Sequence, residues 1–437
     1  MGVTTGLWGI LRTKRKGPVR LRCIHTVVPA LLLIACAVVS SCGSDGSSDS
    51  GGGSASWTYM VYMAADNSLS DFAKNDINEM ESVASSPEVN VVVQAEFKYI
   101  DPVATPGIPD ATVRGRVAHD NNLQAMGSWY TGLGDLDMAD PDTLTEFITW
   151  AAGTYPADRY ALVLWSHGMG WKNGAAEAAT KGMITDGTSP AMPLGVLSRA
   201  VRASGVHFDV INFDTCLMGM YEVAYEFRDL ASYLVFSEEE YPANGDPYHT
   251  ILTHLRQDPS MDGLQLAGTI TADCMAFYSL PNVDFTMTKS AVDTAVVDQL
   301  HAEMCDLAGY LIDHMDSAQK GTIEEARSEA LAYDYPANLD LGDFLQKLRD
   351  RTEDAVLQAM IDGILQNTLP GLVVSNEVHQ GTGDAANEGI TSSRGIAIYL
   401  PSVINAGELL LYEGLECSQS PDGRTWSDFV LSFLTQA

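Results

Sequence analysis

Two stretches decide how this chain is read: Ala161-Leu162-Val163-Leu164-Trp165-Ser166-His167-Gly168, and further on Val210-Ile211-Asn212-Phe213-Asp214-Thr215-Cys216. Each is a short, nearly continuous apolar run that ends abruptly in polar residues. A strand with one wet face would alternate, whereas a strand covered on both faces reads as unbroken apolar sequence, the mark of a parallel sheet sandwiched by helices. In such sheets ligands gather at the carboxyl ends of the strands, so the residues just after these two runs are the first place to look for chemistry.

Working outward, residues 57–64 form another apolar, β-branched and aromatic run, and Asp66-Asn67-Ser68 follows as a turn and helix cap. The spacing of Leu69, Phe72, Ile77 and Met80 predicts a helix to about Val83, and 89–97 a second strand. Strand-helix alternation continues with helices at 142–152, 193–203 and 217–227 and strands at 160–165, 208–213 and 233–236. Beyond these, helices are expected at 261–278, 290–315, 341–349 and 352–366, and strands at 283–287, 371–374 and 395–400. The 437 residues, 46% hydrophobic and 19% charged, are ample for a large core. With no repeat and no internal linker, the expectation is one enlarged α/β domain over 57–437.

The N-terminal segment differs in kind. Arg12, Lys14, Arg15, Lys16, Arg20 and Arg22 precede an apolar run at 27–39, and no acid occurs before Asp45. This is the layout of an export signal, expected over 1–41, and the run is shorter than the ~20 residues a spanning helix needs. Val39-Ser40-Ser41-Cys42 resembles a bacterial lipobox, which makes Cys42 the lipidation candidate, with an ordinary signal peptide as the alternative. The Gly/Ser-rich stretch 42–56 then reads as a flexible tether to a membrane. Gly43 lacks the aspartate linked to inner-membrane retention, which is compatible with an outer-membrane or cell-surface destination.

Removing 1–41 takes six of the 25 basic residues and none of the 57 acidic ones, leaving a formal charge of −38. Phosphate backbones are repelled by such a surface, so nucleic acid is excluded as a partner, while cationic peptides are attracted. Acidity serving solubility or a saline habitat is the plainer alternative. Beyond Cys42 the cysteines are Cys216, Cys274, Cys305 and Cys417, with neither a CxxC pair nor zinc-ligand spacing, so no metal site is expected.

A strand delivering His167-Gly168 to its end and another delivering Cys216 to its own end can bring an imidazole and a thiol together across one sheet edge, a base and a nucleophile. A neighbouring imidazolium and the start of a helix after Cys216 are expected to favour the thiolate over a thiol of pKa ~8.5. Gly168, without a side chain, lets its N–H approach a substrate carbonyl, so that with the Cys216 N–H it forms a candidate oxyanion hole. Each residue alone has an ordinary structural explanation. Their pairing at two strand ends is the stronger signal.

These two blocks resemble the catalytic blocks of caspase-like cysteine peptidases, and within that group the clostripain family. Tyr59 to Leu69 resembles the family's opening strand and turn, Asp214-Thr215-Cys216-Leu217-Met218-Gly219 its nucleophile block, and Ser237-Glu238-Glu239 through Pro242, Gly245 and Tyr248 its substrate-pocket loop. Matches continue through Asn338-Leu339-Asp340-Leu341 and Arg394 to Pro401, as far as Trp426. Thr215 stands where alanine is common, and Asp246-Pro247 where an aromatic residue usually follows the glycine, which leaves the pocket's specificity open.

The resemblance implies a caspase-like α/β/α sandwich with a mostly parallel central sheet and added C-terminal helices. It implies a cysteine endopeptidase cutting after Arg or Lys, with Asp214 from the family block as the candidate S1 acid; Asp246 is a second candidate from its loop position. It also implies a zymogen cut in the segment 168–190, where Lys181 is preferred to Lys172 for self-cleavage. No cofactor is required, while calcium enters through the resemblance alone, since no EF-hand loop is present. The alternatives are a catalytically silent surface lipoprotein using the fold as a binding module, or a peptidase with another P1 preference.

Overall fold

The computed structural model describes residues 54–98, 111–172, 184, 189–280, 285–381, 389–420 and 424–435. The expected signal segment, Cys42, Lys181 and the tether up to residue 53 lie outside the described residues.

The described residues form eleven strands: β1 Ala55–Ala65, β2 Val89–Phe97, β3 Thr112–Arg116, β4 Tyr130–Gly134, β5 Ala157–Trp165, β6 Phe208–Asp214, β7 Ala231–Phe236, β8 Met287–Asp293, β9 Asn338–Asp340, β10 Val373–His379 and β11 Ala397–Tyr399. Nine form one sheet in the order β10-β8-β7-β6-β5-β1-β2-β3-β4, while β11 and β9 pair separately. The five central strands, β7-β6-β5-β1-β2, run parallel. Antiparallel strands extend both edges.

Alternate residues of β1 serve two different cores, which is why its sequence is apolar throughout. Met60, Tyr62 and Ala64 enter one core with Phe147, Leu197, Leu300, Phe344 and Trp426. Tyr59, Val61 and Met63 enter the other with Ile77, Met80, Leu252 and Ile270. Helices Pro141–Thr154, Leu194–Ala203, Tyr221–Phe227 and Val297–Asp313 therefore cover one face, and helices Ser70–Val83, Tyr248–Gln257 and Gly263–Tyr278 the other. The later helices Leu341–Arg351 and Trp426–Thr435 thicken the first face. This is the expected α/β/α sandwich, its sheet parallel at the centre and antiparallel at the rims.

Several boundaries depart from expectation. β1 begins at Ala55, so the last residues assigned to the tether are strand. Residues 290–293, expected to open a helix, belong to β8. Lys289 and Ser290 disguised that strand, because both are polar yet fully buried. The helix after Cys216 starts only at Tyr221. The strands β3 and β4 and the helices Tyr248–Gln257 and Ser317–Glu329 were not anticipated.

Candidate active site

β5 and β6 are adjacent and parallel, with Trp165 paired to Asp214. His167 and Cys216 each stand two residues beyond that pair, so equal overrun of two neighbouring strands brings imidazole and thiol to the same sheet edge. Both line one cavity of about 270 Å³, together with Leu69, Asp214, Thr215 and Tyr241. β1 lies on the other side of β5. Just past its end, Ser68 Oγ is 3.1 Å from His167 Nε2, an orienting contact that sequence reading did not single out.

Gly168 is demanded by packing. A Cβ at this position would collide with the Cys216 carbonyl oxygen and stand 3.1 Å from its amide nitrogen and 3.0 Å from Thr215 Cβ. Only a glycine lets the His167 loop lie against the backbone of the Cys216 loop.

The thiol is a neutral group in this arrangement. Burial, joined by the carboxylates of Glu240, Asp214 and Asp334, pushes Cys216 up to about 11, against the opposing hydrogen bond from the Tyr241 amide. That N–H donates to Sγ at 3.2 Å. A helix start was expected to favour the thiolate, but the intervening turn, in which Leu217 takes φ 62°, keeps helix Tyr221–Phe227 away from Cys216.

The two candidate S1 acids have different surroundings. Asp246 is completely buried and saturated: it accepts from Lys289 Nζ at 2.9 Å, Asn212 Nδ2 at 2.5 Å, the Tyr241 hydroxyl at 2.6 Å and Cys274 Sγ at 3.1 Å. Burial pushes its carboxyl up, but Lys289 and these hydrogen bonds outweigh burial and hold it below the usual range. It is an internal counter-ion and is not among the cavity-lining residues. Asp214 does line the cavity. Its Oδ2 accepts from the Tyr248 hydroxyl at 2.7 Å and from the Asp246 amide at 3.1 Å. Burial and the neighbouring Asp246 charge raise Asp214 to about 7, against the pull of Lys289.

The structure thus brings together His167, Gly168, Cys216 and Asp214, and sets Asp246 behind the wall. Asp76 and Lys289 were missed; Lys289 lay in a stretch expected to be loop or helix, and Asp76 looked like any polar position of an amphipathic helix. Among the described residues, Cys216, Cys274, Cys305 and Cys417 form no disulfide. Nor do the described residues contain a group of three or more His, Cys, Asp or Glu that could hold a metal ion. No described helix is long and apolar enough to cross a membrane.

Clostripain from Hathewaya histolytica is 28% identical over 188 residues, which is 39% of this chain and 36% of that protein, so the match spans about a third of its length. Two solved structures share the fold. A secreted C11 cysteine protease from Bacteroides thetaiotaomicron, in complex with an irreversible peptide inhibitor, superposes with a TM-score of 0.62 at 21% identity, covering 85% of this chain and 99% of that one. An inactive zymogen C11 protease from Parabacteroides distasonis gives 0.60 at 23% identity, covering 84% and 97%. The sequence pattern of peptidase family C11, the clostripain family, extends over residues 61–429. With that match running through nearly the whole described fold, the chain belongs to the clostripain family of cysteine peptidases.

Proposed function

We propose that this protein is an exported cysteine endopeptidase that cleaves after Arg or Lys, with Cys216 as nucleophile and His167 as acid and base. The observation that carries this reading is the shared cavity of His167, Cys216 and the acid Asp214 at the ends of two register-paired strands. Because the resting thiol holds its proton, His167 removes it as the substrate carbonyl arrives. The sulfur attacks the carbonyl carbon, and the N–H groups of Gly168 and Cys216 receive the developing oxyanion. His167 then gives the proton to the leaving amine, and a water activated by His167 hydrolyses the thioester, returning the thiol. Asp214 receives the P1 cation. Asp246 has no such role, since Lys289 already neutralises it.

Self-processing in 168–190 is part of the proposal, at Lys181 rather than Lys172. Lys172 is buried and its Nζ lies 2.7 Å from Glu408 Oε1, which withholds it from an active site. Lipidation at Cys42 and tethering to the cell envelope complete the proposal on sequence grounds alone.

The test is turnover of peptides identical except for Arg, Lys, Asp or Leu at P1, by the chain from Ala55 onward and by its Cys216→Ala variant. Turnover after Arg or Lys that vanishes in the variant supports the reading. If no peptide is cut even after trypsin nicking, a silent binding module replaces it; cleavage after Asp or Leu alone overturns the P1 assignment.

A further inference from the structure

Among the described residues three acids lie under the cavity, and one of them is neutralised. Asp246 has Lys289 at 2.9 Å. Among the described residues neither Asp214 nor Asp76 has a cation in salt-bridge contact, though both are nearly inaccessible. Among the described residues, Asp76 has a single hydrogen-bond donor, the Trp165 indole N–H at 2.8 Å from Oδ2. A buried carboxylate with so few donors is costly unless a further partner arrives.

Gly245 explains where that partner would come from. It lines the cavity and takes φ +64°, a conformation suited to glycine. A Cβ there would stand 2.9 Å from Asp214 Oδ2, 2.9 Å from Asp76 Oδ2 and 3.3 Å from Trp165 Nε1. The two carboxylate oxygens therefore converge on one face of Gly245, close enough for a single guanidinium to bridge them, and a side chain at this position would cover both. A second, independent feature is Thr215, a residue 2% exposed that lines the same cavity and whose hydroxyl has no hydrogen-bond partner among the described residues. Asp214 and Thr215 line the cavity directly, and Asp76 lies against its lining residues Gly245 and Trp165.

We propose that Asp76 is a second carboxylate of the P1 pocket, so that a P1 Arg or Lys is held between Asp214 and Asp76 while Lys289 keeps Asp246 out of the contest. This rests on the basic P1 preference proposed above. Burial, followed by the charges of Asp214 and Glu79, holds the Asp76 carboxyl well above the usual range. The substrate supplies the missing positive charge that lets both acids ionise.

The experiment measures kcat and KM for peptides bearing Arg, Lys or norleucine at P1, and the inhibition constant of benzamidine, in the wild-type, Asp76→Asn, Asp214→Asn and Trp165→Phe proteins. Norleucine turnover monitors the fold and the catalytic pair, since it needs neither acid. Asp76→Asn is expected to lower kcat/KM for Arg and Lys about tenfold to a hundredfold, mainly through KM, and to weaken benzamidine similarly, with norleucine within about twofold. Trp165→Phe, which removes the donor holding Asp76, shifts the same ratio in the same direction by less, and serves if Asp76→Asn misfolds. If Asp214→Asn loses the cationic peptides while Asp76→Asn and Trp165→Phe keep the wild-type ratio, the role of Asp76 is overturned and the basic preference stands. If the wild-type protein does not prefer Arg or Lys to norleucine, the basic preference itself falls and this inference with it.

Discussion

Replacing Lys289 by methionine removes the one cation that the described residues bring to the acid cluster and leaves its apolar stem length nearly unchanged. Both partners of the Lys289–Asp246 pair are completely buried, at 2.9 Å. Removing one partner of such a pair leaves an uncompensated charge, which costs about 3–5 kcal/mol at neutral pH. The loss depends on pH with a definite sign. Asp246 is held below its usual range in the folded protein, so its stabilising contribution is present above the unfolded value and is lost as pH falls through the folded one. Without Lys289, burial dominates and Asp246 titrates upward, so the variant binds a proton that the wild-type protein does not. The deficit is therefore small near pH 4 and full by about pH 7. Equilibrium urea unfolding of both proteins at several pH values measures it. Asp246→Asn combined with Lys289→Met should recover much of the loss, because the pair is then replaced and not broken. A deficit below about 1 kcal/mol at neutral pH, or one that does not grow from pH 5 to pH 7, would refute the assignment of Asp246 as an internal counter-ion.

Gly168→Ala forces a methyl group against the Cys216 carbonyl. Displacement of the His167 loop by ~1 Å should lower kcat/KM about a hundredfold, with a stability loss of about 1–3 kcal/mol visible in the same denaturation assay. Near-wild-type turnover would show that the two loops do not need this contact. For pH dependence, Asp214 is raised to about 7 by burial and Asp246, so it ionises as pH rises through neutrality. The ratio of kcat/KM for P1 Lys to that for P1 norleucine should climb between about pH 6 and pH 8 in the wild-type protein and stay flat in Asp214→Asn. Limited trypsinolysis followed by mass spectrometry should leave the bond after Lys172 intact while Glu408 holds that side chain, and Glu408→Ala should expose it.

The proposed pair, His167 and Cys216, stood out in the sequence because it follows two strands buried on both faces, and continuous apolar runs announce such strands plainly. The same logic singled out Gly168 for the approach of its N–H to a substrate carbonyl, whereas its packing against the Cys216 backbone came from the fold. Lys289 was hidden for the opposite reason. A polar residue within a strand breaks the apolar pattern, so β8 was placed too early in the chain and its end was assigned to a helix. Asp246 illustrates a second limit, since loop position made it a second candidate for the pocket after Asp214, and the surroundings of its carboxylate are what set it apart.

Local sequence alone determined the sandwich, the order of its central strands' chemistry and the family to which the chain belongs, since each depends on periodicity and on contiguous residues. Tertiary structure alone decided which acid faces the cavity, which is neutralised from within, and that the thiol rests protonated. Those properties follow from desolvation and from charges contributed by distant segments: Asp76 from the first helix, Asp214 from β6, Asp246 from a loop and Lys289 from β8. Electrostatic energy depends on distance and burial in space, and no spacing along the chain encodes either.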